Sequence, residues 1–515
     1  MPIYIKEVIV VLAIAIPLFA LGKPIALNFT AESDFKRRRN VWIYLTVVAF
    51  LSPSFWTFVL LGAPALFWAG KKDSNPLALY LLLMNVIPSI AIDIPTGNLG
   101  FQLFYLDIFR LLSFCVLVPA AWRLYKSEDP NRGGGLRKMD LLLIGFGILQ
   151  VVEYVRPDLK SHVILQNSPT NMVRDALLFF IDMYVIYYVA SRSCQSRRAM
   201  LDALAMFCLS CALMAAAAVF ESVKHWLLYT NLFFRWGGKP IEEAYLFRAG
   251  LLRAEASSAN AIMLGYLLAI ALGIWLYLKS HLETRGPRIV AVTVLLWLGL
   301  FASFSRGPWL GAILIYLAYA AFGPRGTSRL VKSVFIFLIV GGLVLVSPIG
   351  HRILEGFPTQ GATSSSLTYR ERLADRSWQL IQAHPLLGDQ FALSKMQGLR
   401  QGQGIIDIVN TYVGVTLFHG FIGLALFLGF ILLALSKARR AAREARQSDP
   451  DLALLAASLA ACIVGNLFML ADFGFFLGCV PTFFTLAGFA VTCSRFTHQT
   501  SVVTGVPPVP SSELL

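Results

Sequence analysis

Apolar runs close to twenty residues long recur along the whole chain, separated by polar stretches rich in arginine and lysine. They lie near 5–22, 41–51, 54–70, 77–92, 104–122, 139–155, 173–191, 199–222, 259–278, 288–303, 307–322, 330–348, 409–436, 452–472 and 474–493. The runs are continuous, not alternating, and backbone polar groups in lipid must be satisfied within a segment, so the pattern predicts helices. By the twenty-residue rule about fourteen of them span a membrane. Runs 41–51 and 54–70 flank Ser52-Pro53-Ser54 and read either as two spans or as one broken, re-entrant helix. The expected fold is all-α, a polytopic helical integral membrane domain over 1–496. The first run lacks a small-residue cleavage site and reads as an uncleaved helix. The segment 497–515, with Pro507, Pro508 and Pro510, reads as a disordered tail.

One interruption differs from the rest. From Ile349 to Ile408 the chain is polar and carries Arg352, Arg370, Arg372, Arg376, Lys395 and Arg400. Within it a helix is expected over 368–383. Tyr369, Leu373 and Leu380 then share one face, Glu371 and Asp375 a second, and Arg372 and Arg376 a third. His384-Pro385 ends that helix, and Gly398, Gly402 and Gly404 loosen the chain before the next span.

Charge orients the chain. The short loops on one side, from Lys23 and Lys36-Arg37-Arg38-Arg39 through Lys437–Arg446 to Arg495, hold most of the 44 lysines and arginines. By the positive-inside rule they are cytoplasmic, and so is the tail. The segments 156–172, 223–258, 304–306 and 349–408 then lie outside, the last as a large periplasmic loop. The net charge of +15 is largely this topology signal, with anionic headgroups as its natural neighbours. With 57% hydrophobic and 14% charged residues, a soluble protein is excluded. No basic domain with interleaved aromatics points to nucleic acid. The connector Asn131-Arg132-Gly133-Gly134-Gly135 lacks the Lys-Ser/Thr of a phosphate loop. The seven cysteines fall in spans or cytoplasmic segments, so no disulfide framework is implied, and Cys208 and Cys211 read as packing. No metal-ligand spacing and no cofactor motif is present.

Chemistry is expected at the outer face. Arg248 and Arg253 stand in Phe247-Arg-Ala-Gly-Leu-Leu-Arg-Ala-Glu255 just before a span, and Arg306 in the tight turn Ser303-Phe-Ser-Arg-Gly-Pro308. Guanidinium groups are permanently charged and bidentate toward phosphate, and charges in such positions are costly unless used or paired. Snorkelling, or a bridge to Glu255 or Glu221, is the plain alternative. Inside the spans, Asp107 and Arg110 are spaced to neutralise each other, and Asp182 has no partner visible in sequence.

These segments, with Arg370-x-Arg372-Leu373, His384-Pro385-Leu386-Leu387-Gly388, Val409-Asn410-Thr411-Tyr412 and Gly420-Phe-Ile-Gly423, together resemble the O-antigen ligase and polysaccharide polymerase superfamily over about 245 to 440. The resemblance implies a glycosyltransferase that uses no metal or other cofactor. Its donor would be an oligosaccharide on undecaprenyl pyrophosphate, its acceptor a growing glycan, and its place the bacterial inner membrane. Chain-length regulators and export proteins are the implied partners. Arg248 and Arg306 match the family's functional arginines. Arg253, Arg370, Arg372, Arg376, His384 and Asn410 are expected to bind substrate. In one respect the chain departs. Ligases of the family carry a histidine before the asparagine at 410, where this chain has Val409, and His419 lies about three turns further on. That favours a polymerase of repeat units over a ligase, with a flippase or transporter as the reading from another class. The general base stays open among Glu255, Glu371, His384 and Asp407.

Overall fold

The computed structural model describes residues 1–94, 104–127, 137–153, 174, 176–238, 247–248, 251–282, 286–323, 328, 330–332, 362–400, 406–474 and 478–504. The expected span at 330–348 lies almost wholly outside the described residues. The segment 156–172, the connector 131–135, residues 349–361 and 401–405 of the large loop, and 505–515 lie outside them as well.

The described residues are helical nearly throughout. The principal helices are α1 Ile3–Ala26, α2 Glu32–Leu51, α3 Phe55–Lys72, α4 Pro76–Leu83, α5 Ile108–Lys126, α6 Lys138–Glu153, α7 Val185–Arg192 and α8 Arg197–Lys224. There follow α9 Thr230–Arg235, α10 Ala261–Leu278, α11 Pro287–Ala302, α12 Arg306–Phe322, α13 Ala362–Ala383, α14 Thr411–Ser448, α15 Pro450–Met469 and α16 Cys479–Thr504. Strand pairing among the described residues is confined to two antiparallel two-residue ladders, β1 Ile92–Asp93 with β2 Tyr105–Leu106 and β3 Phe247–Arg248 with β4 Leu251–Leu252.

Seven described helices are long and apolar enough to cross a membrane: α1, α5, α8, α10 (with the turn to His281), α14, α15 and α16; α11 is apolar but shorter. The protein is a multi-pass membrane protein. Helices α10 and α16 each bury 89% of their apolar window and form the centre, whereas α1 buries 33% and lies at the rim.

Several expectations change. Ser52-Pro53-Ser54 separates two helices that pack back on each other, with Tyr44 donating to the Leu61 carbonyl at 3.2 Å. The run at 77–92 is helical only over Pro76–Leu83. Asp107 caps α5, its side-chain oxygen accepting from the Arg110 backbone N–H at 2.9 Å. The Arg110 guanidinium reaches Asp182, 72 residues away, with Nη2 at 2.7 Å. Asp182 sits in a π-helical turn, Phe180–Tyr184, whose extra residue re-aims side chains out of the regular helix. The last helix continues to Thr504, past the point where the tail was expected to begin.

Polar contacts sort the loops into two ends. Arg38 lies between Asp73 and Asp202, at 2.7 Å from each, Arg192 pairs with Asp140, and Arg197 bridges Asp449 and Asp451. All of these belong to the loop set that the charge count groups together. The other set meets at the opposite end, where α13 lies across the start of α14.

Candidate functional site

The site grows from Glu221 near the end of α8. Its carboxylate is fully buried and accepts from three backbone N–H groups, Leu228 at 3.0 Å, Glu255 at 3.0 Å and Ala256 at 2.8 Å. A buried charge needs such partners. The bonds clamp a turn in which Ala256 and Ala259 adopt φ of 45° and 52°. Left-handed backbone at residues with a Cβ is costly and persists where surroundings over-determine it, commonly at functional sites. Asn260 then caps α10 by accepting from the Ile262 and Met263 N–H groups.

This clamp fixes the residues just before it. Ala254 N–H donates to the Ala302 carbonyl at 3.0 Å, and the buried Arg253 donates from Nη2 to Ser305 Oγ at 3.0 Å. Arg253 is thereby seated against the turn that opens α12, whose first residue is Arg306. Phe304 in that turn has φ 43°. Arg248 lies on β3, opposite Leu251, in the ladder that leads into Arg253.

The next residue explains Arg306's surroundings. A Cβ at Gly307 would collide with Asp472 Oδ2, so this glycine lets the Asp472 carboxylate lie on the first turn of α12. A helix N-terminus favours an anion there. Asp472 in turn receives Arg370 Nη1 of the loop helix at 3.0 Å. Tyr369, one residue earlier, donates its hydroxyl to the Asp407 carbonyl and accepts from the Asp407 N–H, both at 3.0 Å. Burial raises the Asp407 carboxyl above its usual range, and nearby Arg370 opposes this. Burial, and then the Glu221 charge beside it, push Glu255 up to about 7, with Arg253 acting in the other direction.

The loop helix is longer than expected, 362–383 instead of 368–383, and its apolar face behaves as the spacing predicts. Leu373, Leu380 and Ile381 are buried with Ala392, Met396 and Leu417, and Val409 packs against the same cluster. The His384–Gly388 segment does more than end this helix. Helix α14 breaks at Gly420, where φ is 62° and ψ −170°. Phe421 and Ile422 N–H groups, released by the break, donate to the Pro385 and Leu386 carbonyls at 2.8 and 3.2 Å. On the other side of it, Asp389 N–H donates to the Leu417 carbonyl at 2.8 Å. Gly388 and Gly420 touch backbone to backbone, leaving no room for a Cβ on either. The two motifs are thus halves of one joint.

Of the residues singled out in sequence, the structure gathers Arg253, Glu255, Arg306, Arg370 and Asp407 at one end of the bundle. Arg372 and Arg376 are not among them. Both are exposed on the outer side of the loop helix, where Arg376 contacts Gln379 and the Lys395 carbonyl. Asn410 uses its side-chain oxygen to cap α14, accepting from Tyr412 and Val413 N–H groups at 2.9 and 3.2 Å. His384 contributes a backbone carbonyl to the joint, accepting from Gly388 N–H at 2.9 Å. Asp472 was missed. Its sequence signal is slight, a carboxylate at the end of an apolar run opposite a basic loop. The pair Asp449-Pro450-Asp451 is held by Arg197 at the other end. No group of three or more potential metal-ligating side chains occurs among the described residues.

Three arginines and three carboxyl groups in this arrangement can hold a phosphate-bearing group beside a proton acceptor. A family model described as O-antigen ligase matches residues 291–428, which run from α11 through α12 and the loop helix into α14. No curated protein matches the chain. Members of that family are glycosyltransferase-like enzymes. The match covers Arg306, Arg370, Asp407 and the α13–α14 joint, so over residues 291–428 the chain is similar to the O-antigen ligase family.

Proposed function

We propose that the protein is a polymerase of lipid-linked repeat units, transferring a glycan from undecaprenyl pyrophosphate to a hydroxyl of a second glycan at the periplasmic face of the bacterial inner membrane. The observation that carries this is that Arg253, Arg306 and Arg370 lie at the same end of the bundle as Glu255, a carboxyl group that burial and the Glu221 charge push up to about 7. The acceptor oxygen attacks the anomeric carbon, the bond to the pyrophosphate oxygen breaks with its electron pair, and the configuration inverts. In this reading Arg306 and Arg370 take the charge that develops on the leaving pyrophosphate, a role in which fixed cations act most strongly in the transition state. Arg248, five residues before Arg253, joins them in this reading. Glu255 accepts the hydroxyl proton, its raised pKa matching a general base at neutral pH. Asp407 is the second carboxyl suited to that role.

Polymerase is favoured over ligase by Val409. Its side chain packs beneath the loop helix, so this position supplies no ionisable group to an acceptor. The ligase reading is supported by the matching family's description. A flippase is disfavoured because the charged groups of the site gather at one end of the bundle and not midway between matched helix sets. Chain-length regulators and export proteins are the partners such a polymerase would serve. Deletion followed by sizing of the cell's polysaccharide decides the matter. Single repeats left on lipid support a polymerase, full-length unattached glycan a ligase, and repeats held inside the cell a flippase.

A further inference from the structure

Beneath the α13–α14 joint lies a cavity of about 290 Å³, between α6, the π-helical turn before α7, and the break in α14. None of the arginines of the site lines it. Its polar wall is Gln150, Asp182, Gln390 and His419, and its aromatic wall is Phe179 and Phe418. The polar groups are built in, not incidental. His419 Nδ1 lies 2.7 Å from Glu153 Oε2, and Gln390 Nε2 donates to the same oxygen at 2.8 Å. Glu153 is 1% exposed at the end of α6. The break at Gly420 is what aims His419 here, since the residue immediately before it leaves the straight helical path. Glu153 Oε1 and Gln390 Oε1 are buried without hydrogen-bond partners among the described residues. Such an arrangement is costly unless it serves a ligand or water.

The lining selects the occupant. A phosphate is disfavoured, because Asp182 presents a carboxylate, a second carboxylate, Glu153, lies directly behind His419, and the Arg110 guanidinium is already taken by Asp182. An acyl or isoprenoid chain would bury the amides and the imidazole unsatisfied. A pyranose satisfies both halves of the wall. Its hydroxyls donate and accept, matching amides, imidazole and carboxylate, while its C–H face covers an aromatic ring. The volume is at the small end for ligand sites and suits one sugar ring rather than an oligosaccharide. We propose that this cavity is a sugar-binding subsite, in which His419, oriented by Glu153, and Gln390 hydrogen-bond one residue of a glycan chain. The proposal rests on the glycosyl-transfer reading and deepens it. His419 lies nine residues along α14 from Asn410, about 13 Å at the helical rise, so a chain engaged at the arginines can place a later sugar here.

The test uses the full-length protein in detergent and the repeat-unit oligosaccharide released by mild acid from the host's own polysaccharide, with binding read by saturation-transfer NMR and calorimetry. Wild type is expected to bind. His419→Gln and Gln150→Ala should each weaken binding about tenfold, the effect of one lost hydrogen bond in a desolvated site. Met183→Trp, which fills the cavity without touching a polar group, should abolish it, while Arg306→Ala should leave it unchanged. Thermal unfolding of each variant separates lost binding from lost fold. If His419→Gln fails to fold, the Gln150 and Met183 variants decide. No binding by wild type overturns the proposal. So does undiminished binding by a folded Met183→Trp protein, or a loss on Arg306→Ala equal to that on Met183→Trp. The glycosyl-transfer reading fails separately, on a deletion strain whose polysaccharide is unaltered.

Discussion

Glu255 is the residue on which the proposed chemistry turns, and its environment sets the sign of its pH dependence. Burial and the neighbouring Glu221 charge raise its carboxyl to about 7 from an ordinary value of 4.5, so it is a base above that pH and an acid below. Transfer measured in vesicles should fall about tenfold per pH unit below about 7. Glu255→Gln should flatten that limb and cost about 10²- to 10⁴-fold in rate at pH 8. A slope that survives in the Gln variant would assign the base elsewhere, with Asp407 next. Arg306→Ala should lower product by about 10²- to 10³-fold, the scale of one lost transition-state contact, while the protein stays inserted; wild-type chain lengths from this variant would remove the pyrophosphate role. How much of this was legible depends on where each partner came from. Arg253, Glu255 and Arg306 stood out because charge beside apolar runs is expensive. Asp472 and the Arg110–Asp182 pair did not, because their partners are distant in sequence, and one-dimensional spacing reports only neighbours on the same helix.

At the scale of elements, the joint between the loop helix and α14 is what turns a polar insertion into part of the site. The periodicity of Tyr369, Leu373 and Leu380 was enough to foresee a helix with one buried face. It could not foresee what that face covers, since Leu417 and Val409 lie beyond the loop. Nor could it foresee the break in α14, because Gly420 inside an apolar run reads as an ordinary helical glycine. The break holds only if both glycines lack a Cβ: Gly420 has φ 62° and abuts Leu386, and Gly388 has φ 65° and abuts Phe418 to Gly420. Gly420→Ala and Gly388→Ala should each destabilise the protein by about 2–4 kcal/mol, through left-handed strain plus a backbone clash. Since both act on one contact, the double variant should cost clearly less than the sum. Thermal unfolding in detergent reads this directly, and additive losses would show that the two glycines do not share a joint.

For the whole molecule the central question is which end faces out. The polar contacts divide the loops into the same two sets as the charge count, although the two rest on different physics: one is contact between distant segments, the other a bias in lysine and arginine number. The Arg38, Arg192 and Arg197 networks pair three of the arginines at one end with Asp73, Asp202, Asp140, Asp449 and Asp451. The basic bias there is therefore partly a folding requirement as well as an address. A pairing requirement would hold in either orientation, so orientation must be tested apart from the fold. In a cysteine-free background, Ser364→Cys on α13 should react with a membrane-impermeant maleimide once the outer membrane is permeabilised, with the inner membrane intact. A cysteine at Arg443, in the exposed basic end of α14, should react only after the inner membrane is opened. The reverse pattern would put Arg306, Arg370 and Glu255 on the cytosolic side. A donor presented outside could not reach them there, and the proposed polymerisation would be impossible at this site.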